Sequence, residues 1–465
     1  MNWKDRRIVI LGLARQGTAL AQYLVNKGAR VAVSDARLAD ELKDSLAALS
    51  NLPIEYFLGG HPTHLLDGAD LLCLSGGVPA GVPLAQEARR RGIAVSNDSQ
   101  IFLDAAPCAV VGITGSAGKT TTTTLTGKMI AANEASGRTT WVGGNIGNPL
   151  IADLDRMTAS DVAVMELSSF QLEIMTTSPQ IAGVLNITPN HLDRHGTMDV
   201  YIDAKSQIIR YQRRDGIAVL GRDDNNARAL GAVAPGRLWW FSASEVVAAG
   251  AFVRESEIVL RDGIREQAVC AVSEIKLRGE HNVLNVLAAC ALSGAVGTPP
   301  EAMREAIAGF TGVAHRLELV RERNGVKWYN DSIATAPERV VAALKSFAEP
   351  MVLLAGGRDK KLPWDEFARV ARQRTKAVIA FGECAGLIER AAEEENEKVS
   401  GRQYKMRPKL VNVIKVKQLA DAVQRASEIT SEGDVVLLSP GGTSFDEFKD
   451  FEERGQKFRE LVNLL

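Results

Sequence analysis

Val110–Thr124 reads VVGITGSAGKTTTTT, an apolar β-branched run, a glycine-rich turn and a helix predicted to begin at Lys119. A strand that feeds through such a turn into a helix presents orphan amides and the positive end of the helix dipole to an anion. Gly115 and Gly118 are expected to adopt angles open to glycine and to turn N–H groups toward a phosphate, with Ser116 and Ala117 completing the cradle. Lys119 then reaches the outer phosphates, Thr120 offers a hydroxyl to Mg²⁺, and Thr121 continues the first turn. The strict GxxxxGK[ST] pattern fails at one place, because its first position is Ile113. A ligand-free turn with an incidental lysine is the competing reading. The ordered strand, turn, Lys–Thr pair and helix count against it.

The same alternation of apolar runs and helical patterns extends outward in both directions, which predicts an α/β protein of parallel layers. Upstream, RRIVILGL, ARVAVSDA, ADLLCLSGG and IAVSND read as strands; downstream, DVAVMELSS and AGVLNIT do, followed by the apolar-faced helix GEHNVLNVLAACAL. VKWYNDS, PMVLLAGG, KAVIAFG and DVVLLSP form a last group, and EEENEK near residue 395 reads as a solvated helix face. A chain of 465 residues exceeds one core, and about 150 residues per domain gives roughly three. The expected domains are 1–106, Rossmann-like; 107–313, a central P-loop-type ATPase domain; and 314–465, a Rossmann-like α/β domain.

Composition narrows the partners. A net charge of -1 offers no broad basic field, so no nucleic-acid partner is expected. No run approaches about 18 apolar residues, so no membrane insertion is expected, and the charged start MNWKDRR is unlike a signal peptide. The scattered cysteines, 73, 108, 270, 290 and 384, suit reduced thiols. The expectation is a cytoplasmic monomer.

Further candidates lie at predicted strand ends. Gly12-Leu-Ala-Arg-Gln-Gly17 follows the first strand and Asp35 ends the second, in the manner of a dinucleotide fingerprint, although the pattern is GxxxxG; a ligand-free βα turn competes equally. Glu166 follows four apolar residues and would be costly there without a cation or a donor. His191 and His195 fall in one short loop, NITPNHLDRH, after another buried strand. Lys205, in YIDAKSQII, is by default a solvated lysine.

Taken in order, TGSAGKTT, GGNIG, MELSSFQLE, NITPNHLDRH, GEHNVLNVLAA, HRLE, NDSIAT and LSPGGTSFDEFKDFEERG resemble the Mur ligases over essentially the whole chain. The last two blocks are most similar to the D-glutamate-adding branch. The resemblance implies a UDP-binding first domain, an ATP-binding centre, and a third domain that closes over the site. It implies that ATP and two Mg²⁺ ions join D-glutamate to UDP-N-acetylmuramoyl-L-alanine through an acyl phosphate. By matched position, Gln16, Asp35 and Ser75 would surround UDP, and Asn145 and Glu166 would organise the site. His191 would bind the second Mg²⁺, and Lys205 would be carbamylated into an anionic ligand. Asn282 and Asn285 would face adenine, Arg316 the γ-phosphate and Asp331 the ribose; Thr335, Lys360, Ser444 and Phe451 would surround D-glutamate. The chain departs from the family's usual pattern at Ala117, Ile333, Ala336 and the GGTS of its last block.

Rival readings are a sister ligase for another amino acid, a regulatory NTPase and a nicotinamide oxidoreductase. The second usually carries hhhhD where this chain has Met165–Glu166, and the third lacks its GxG.

Overall fold

The computed structural model describes residues 2–133, 137–400 and 411–465. Strands β1 (Arg7–Leu11), β2 (Arg30–Asp35), β3 (Ile54–Leu58), β4 (Leu71–Leu74) and β5 (Ala94–Ser96) form a parallel sheet in the order β3-β2-β1-β4-β5. Its order reverses between β1 and β4, which is where open α/β sheets place ligands. The strand β3 was not anticipated, because the short run IEYFL is broken by a charge; Glu55 is exposed and the other four residues are only half-buried.

The second sheet contains β6 (Ala109–Thr114), β7 (Thr140–Gly144), β8 (Val162–Glu166), β9 (Ile181–Val184), β10 (Ile217–Gly221) and β11 (Arg237–Ser242). It continues through β12 (Gly250–Arg254), β13 (Glu257–Arg261) and β14 (Glu266–Ala271), in the order β14-β13-β12-β11-β10-β9-β6-β8-β7. β6, β8 and β9 sit near its middle and are almost wholly buried, as strands covered on both faces must be. The expectation of purely parallel layers fails at β12–β14, which pair antiparallel. Their first turn is Glu255–Ser256, both at positive φ (48° and 68°), a hairpin geometry without the usual Asn-Gly signal. The helix Glu280–Val296 packs on the helix Lys119–Ala131, and Ser293 Oγ lies 3.5 Å from Met129 Sδ.

These two sheets form one compact unit, Met1–Lys276 with Glu280–Phe310. Leu277–Gly279 and Thr311–Leu465 form the other. The second unit holds β15 (Glu318–Arg323), β16 (Val326–Asn330), β17 (Met351–Gly356), β18 (Thr375–Phe381), β19 (Val413–Lys415) and β20 (Val435–Gly441). Their order is β15-β16-β20-β17-β18-β19, with only β15 antiparallel. In the helix Ala385–Ser400 the expected solvated face is interrupted: Glu395 is buried and accepts from Arg372 Nε at 3.0 Å.

All five cysteines are unpaired thiols, and no described helix is long and apolar enough to cross a membrane.

Candidate functional site: a phosphate loop with two converging lysines

β6 delivers the glycine turn at its carboxyl end, and the helix begins at Lys119 as its sequence predicts. Gly118 is left-handed (φ +84°), and a Cβ there would stand 2.1 Å from Asn285 Oδ1. Gly115 corrects the expectation: its φ is not positive, and it is needed because a Cβ would press to 2.9 Å from Leu185 Cβ. A second correction concerns the amides. Ser116 N–H donates to Asn186 O at 2.8 Å and Ala117 N–H to Asn186 Oδ1 at 2.9 Å, so these groups tie the loop to the end of β9. The amides of the helix's first turn, by contrast, have no acceptor within the helix, an arrangement that suits an anion.

Behind the loop, Lys119 Nζ donates to Gly115 O at 3.0 Å and Lys205 Nζ donates to the same oxygen at 2.9 Å. Lys205 is 1% exposed, against the expectation of a solvated lysine, because the face of its helix carrying Tyr201, Ala204 and Ile208 turns into the core. Its ammonium also lies 4.8 Å above the Tyr201 ring. Burial first, and then the neighbouring Lys119 charge, hold its pKa well below that of an ordinary lysine, although Glu166 pulls the other way.

Glu166 closes β8, 2% exposed, with the donors its position demands. Thr120 Oγ1 donates to Oε2 at 2.9 Å and Asn145 Nδ2 to Oε1 at 3.0 Å. The loop after β9 carries His191 at positive φ (53°), its ring edge-on to Phe170 with centroids 5.2 Å apart. His195 is buried, stacks on Phe170 and lies 3.0 Å from Ser169 Oγ. Asn282 and Asn285 come together, Asn285 Nδ2 donating to Asn282 Oδ1 at 2.9 Å, and Asn285 lies against Gly118.

In the first sheet Gly12 (φ +93°) and Gly17 make a tight turn, since a Cβ on Gly17 would strike Gly12 O at 2.0 Å. Gln16 Oε1 accepts from Gly76 N–H at 3.0 Å, and Ser75 N–H donates to Leu11 O at 2.9 Å, which joins the loops flanking the reversal point. Asp35 is already engaged: Leu13 N–H donates to it at 2.8 Å, and Arg37 holds it through its backbone and guanidinium. Burial works against ionisation, yet these donors bring its carboxyl down to about 2.

In the second unit, Arg316 sits between two left-handed residues, His315 (φ 63°) and Leu317 (φ 42°). Asp331 accepts from Leu317 N–H at 3.3 Å and from Ser439 Oγ at 2.9 Å, and burial pushes its pKa up to about 7. Lys360 Nζ donates to Thr335 Oγ1 at 3.1 Å. Ser444 is buried, and Phe451 opens the last helix with its carbonyl accepting from Ser332 Oγ at 2.8 Å. Arg454, wholly buried, was not foreseen; it donates to Ser332 Oγ at 3.0 Å and to Gly442 O at 3.2 Å. An arginine in an EERG run reads as surface, so composition hid it, as it hid Asn186.

Residues 6–97 match the model of the Mur ligase MurD-like N-terminal domain, 113–293 the Mur ligase middle domain, and 315–442 the Mur ligase glutamate ligase domain. The UDP-N-acetylmuramoylalanine–D-glutamate ligase of Symbiobacterium thermophilum is 42% identical over 463 residues, 99% of this chain and 98% of that protein. The ligase of the same name from Acetivibrio thermocellus is 40% identical over 461 residues, 99% of this chain and 97% of that one. In fold, the chain is similar to the UDP-N-acetylmuramate–alanine ligase of Thermotoga maritima (TM-score 0.58, 19% identity, 98% of this chain and 99% of that one). It is also similar to a MurF ligase from Thermotoga maritima in complex with ADP (TM-score 0.53, 17% identity, 99% and 96%). With three domain models matched in chain order and such relatives along nearly its whole length, the chain belongs to the Mur ligase family.

Proposed function

We propose that this chain is a cytoplasmic ATP-dependent ligase that joins D-glutamate to the L-alanine carboxylate of UDP-N-acetylmuramoyl-L-alanine, in the synthesis of peptidoglycan precursors. One observation carries the reading: Lys119 and Lys205 converge on Gly115 O behind a phosphate loop, in a chain whose 42%-identical relative bears that activity in its name. Residues 1–106 hold the UDP-linked substrate, with Gln16, Asp35 and Ser75 shaping the loops around it. Residues 107–313 hold ATP, and 314–465 receive the amino acid.

A carboxylate is a poor acyl donor, so its oxygen first attacks the γ-phosphorus of ATP and ADP leaves. The amine of D-glutamate then attacks the acyl phosphate, loses a proton, and phosphate departs with the former carboxylate oxygen. Charge builds on phosphoryl and carbonyl oxygens, where Lys119, Arg316 and the first-turn amides stabilise it. Asn282 and Asn285 hold adenine and Asp331 the ribose, while Thr335, Lys360, Ser444 and Phe451 orient the D-glutamate amine.

Mg²⁺ fits the residues present. Thr120 and Asn145 already bond to Glu166, a hard-oxygen pair beside the loop, with His191 on the next strand's loop. Among the described residues no group of three His, Cys, Asp or Glu forms a metal cage. Lys205 supplies the remaining anion as a carbamate, since its buried amine favours the neutral form that adds to CO₂ with loss of a proton. When bound, Mg²⁺ neutralises phosphate oxygens.

Phosphate release tests the function. It is expected only with ATP, Mg²⁺, UDP-N-acetylmuramoyl-L-alanine and D-glutamate together. Turnover with L-alanine, L-lysine or diaminopimelate in place of D-glutamate would reassign the chain to a sister activity. Release without any amino acid would favour a regulatory NTPase.

A further inference from the structure

Past the end of β9, residues 185–188 are held along both edges. On the side of β6, Leu185 N–H donates to Thr114 O at 2.9 Å. Ser116 Oγ donates to Thr188 O at 2.9 Å and accepts from Thr188 N–H at 3.0 Å. On the side of β10, Ile187 N–H donates to Asp224 Oδ1 at 3.2 Å, and Ile187 O accepts from Asn226 Nδ2 at 2.7 Å. Asn186 lies in the middle of this fixed segment, and its side-chain amide meets both backbone groups of one residue. Its Oδ1 accepts from Ala117 N–H at 2.9 Å, and its Nδ2 donates to Ala117 O at 3.1 Å.

The second of these bonds also aims the next amide. A trans peptide is planar and carries its C=O and its N–H on opposite edges. With Ala117 O held against Asn186, Gly118 N–H points the other way, and it has no acceptor among the described residues. Gly118 is the residue from which the helix Lys119–Ala131 starts, so its N–H joins the orphan donors of the first turn. Glycine itself does not secure this orientation. Gly118 is left-handed (φ +84°), and without a Cβ it also tolerates the backbone angle that half a turn of the preceding peptide would give it. After such a turn Ala117 O would stand where the N–H stands now, and a carbonyl oxygen repels phosphate.

We propose that Asn186 is a positioning residue that holds the peptide between Ala117 and Gly118 with its N–H, rather than its carbonyl, toward the nucleotide phosphates. The inference rests on the ATP reading given above and is independent of which amino acid is joined. Asparagine suits the task because one side chain supplies both an acceptor and a donor. An ionised aspartate has the same shape but only accepts, so it sets oxygen against oxygen at Ala117 O.

Calorimetric titration of the full chain with a non-hydrolysable ATP analogue and with adenosine, both with Mg²⁺ present, separates the aim of this peptide from the integrity of the fold. Asn186→Ala is expected to weaken the analogue by about tenfold or more and adenosine by less than about twofold, with the KM for the UDP-linked substrate unchanged. Asn186→Asp keeps the bond from Ala117 N–H, and its crystal structure, at a pH where the carboxyl is ionised, should show Ala117 O turned away from residue 186. Three results overturn the proposal: wild-type affinity for the analogue in Asn186→Ala, equal losses for analogue and adenosine, or Ala117 O still facing residue 186 in Asn186→Asp. If the wild type does not bind the analogue, the ATP reading is rejected and the proposal falls with it. Turnover with an amino acid other than D-glutamate would reject the substrate reading alone, and the analogue series would stand as read.

Discussion

A lysine in the middle of the helix Met198–Arg210 would by type face water, yet Lys205 is 1% exposed and shares a carbonyl with Lys119. Nothing in YIDAKSQII marks it; only the fold brings residue 205 to residue 115, which is why family resemblance found it and pattern did not. Lys205→Ala is expected to lower turnover roughly a hundredfold, with part restored by added formate or acetate; unimpaired activity would refute the carbamate role. Asp98 is a second buried ionisable group, 3% exposed, with Oδ1 lacking a partner among the described residues. Burial raises its pKa from 3.8 to about 7. A carboxyl raised in the fold adds most stability below its unfolded pKa and loses it as pH climbs through the folded one. Between pH 4 and pH 8 that loss is about 4 kcal/mol. Denaturant unfolding should therefore show Asp98→Asn gaining on the wild type by several kcal/mol across that window; parallel curves would remove the assignment.

At the scale of elements, the phosphate turn was the most legible feature, because strand, glycine, Lys–Thr and helix each announce themselves locally. What the sequence hid was the clasp: Asn186 binds the backbone of both Ser116 and Ala117, and no local signal links the two segments. Gly118→Ala places a Cβ 2.1 Å from Asn285 Oδ1 in a left-handed conformation. It should raise the KM for ATP by about tenfold or more, read by steady-state kinetics with the UDP substrate held saturating. An unchanged KM would mean that Gly118 does not shape the nucleotide site. The hairpins show both outcomes. Asn324–Gly325, at positive φ, is the standard two-residue signal and could have revealed the antiparallel β15. Glu255–Ser256 carries no such mark, so β12–β13 was unreadable in advance.

At the scale of the whole molecule, the alternation of strand and helix made three α/β sheets legible, while the division into two compact units follows from backbone contacts between segments distant in sequence. The second unit has its own cores, one around Val340, Leu353 and Phe367 and one around Val352, Val423 and Phe458. Calorimetry is expected to resolve two unfolding transitions, with a non-hydrolysable ATP analogue raising that of the unit carrying the phosphate loop. One transition that ignores the analogue would contradict this. The central claim is that the loop aims a γ-phosphate at a carboxylate rather than at water. It is tested most directly with UDP-N-acetylmuramoyl-L-alanine labelled with ¹⁸O in the alanine carboxylate, in the complete reaction with ATP, Mg²⁺ and D-glutamate. Acyl-phosphate chemistry predicts one ¹⁸O in each phosphate released, and phosphate free of the label would contradict it.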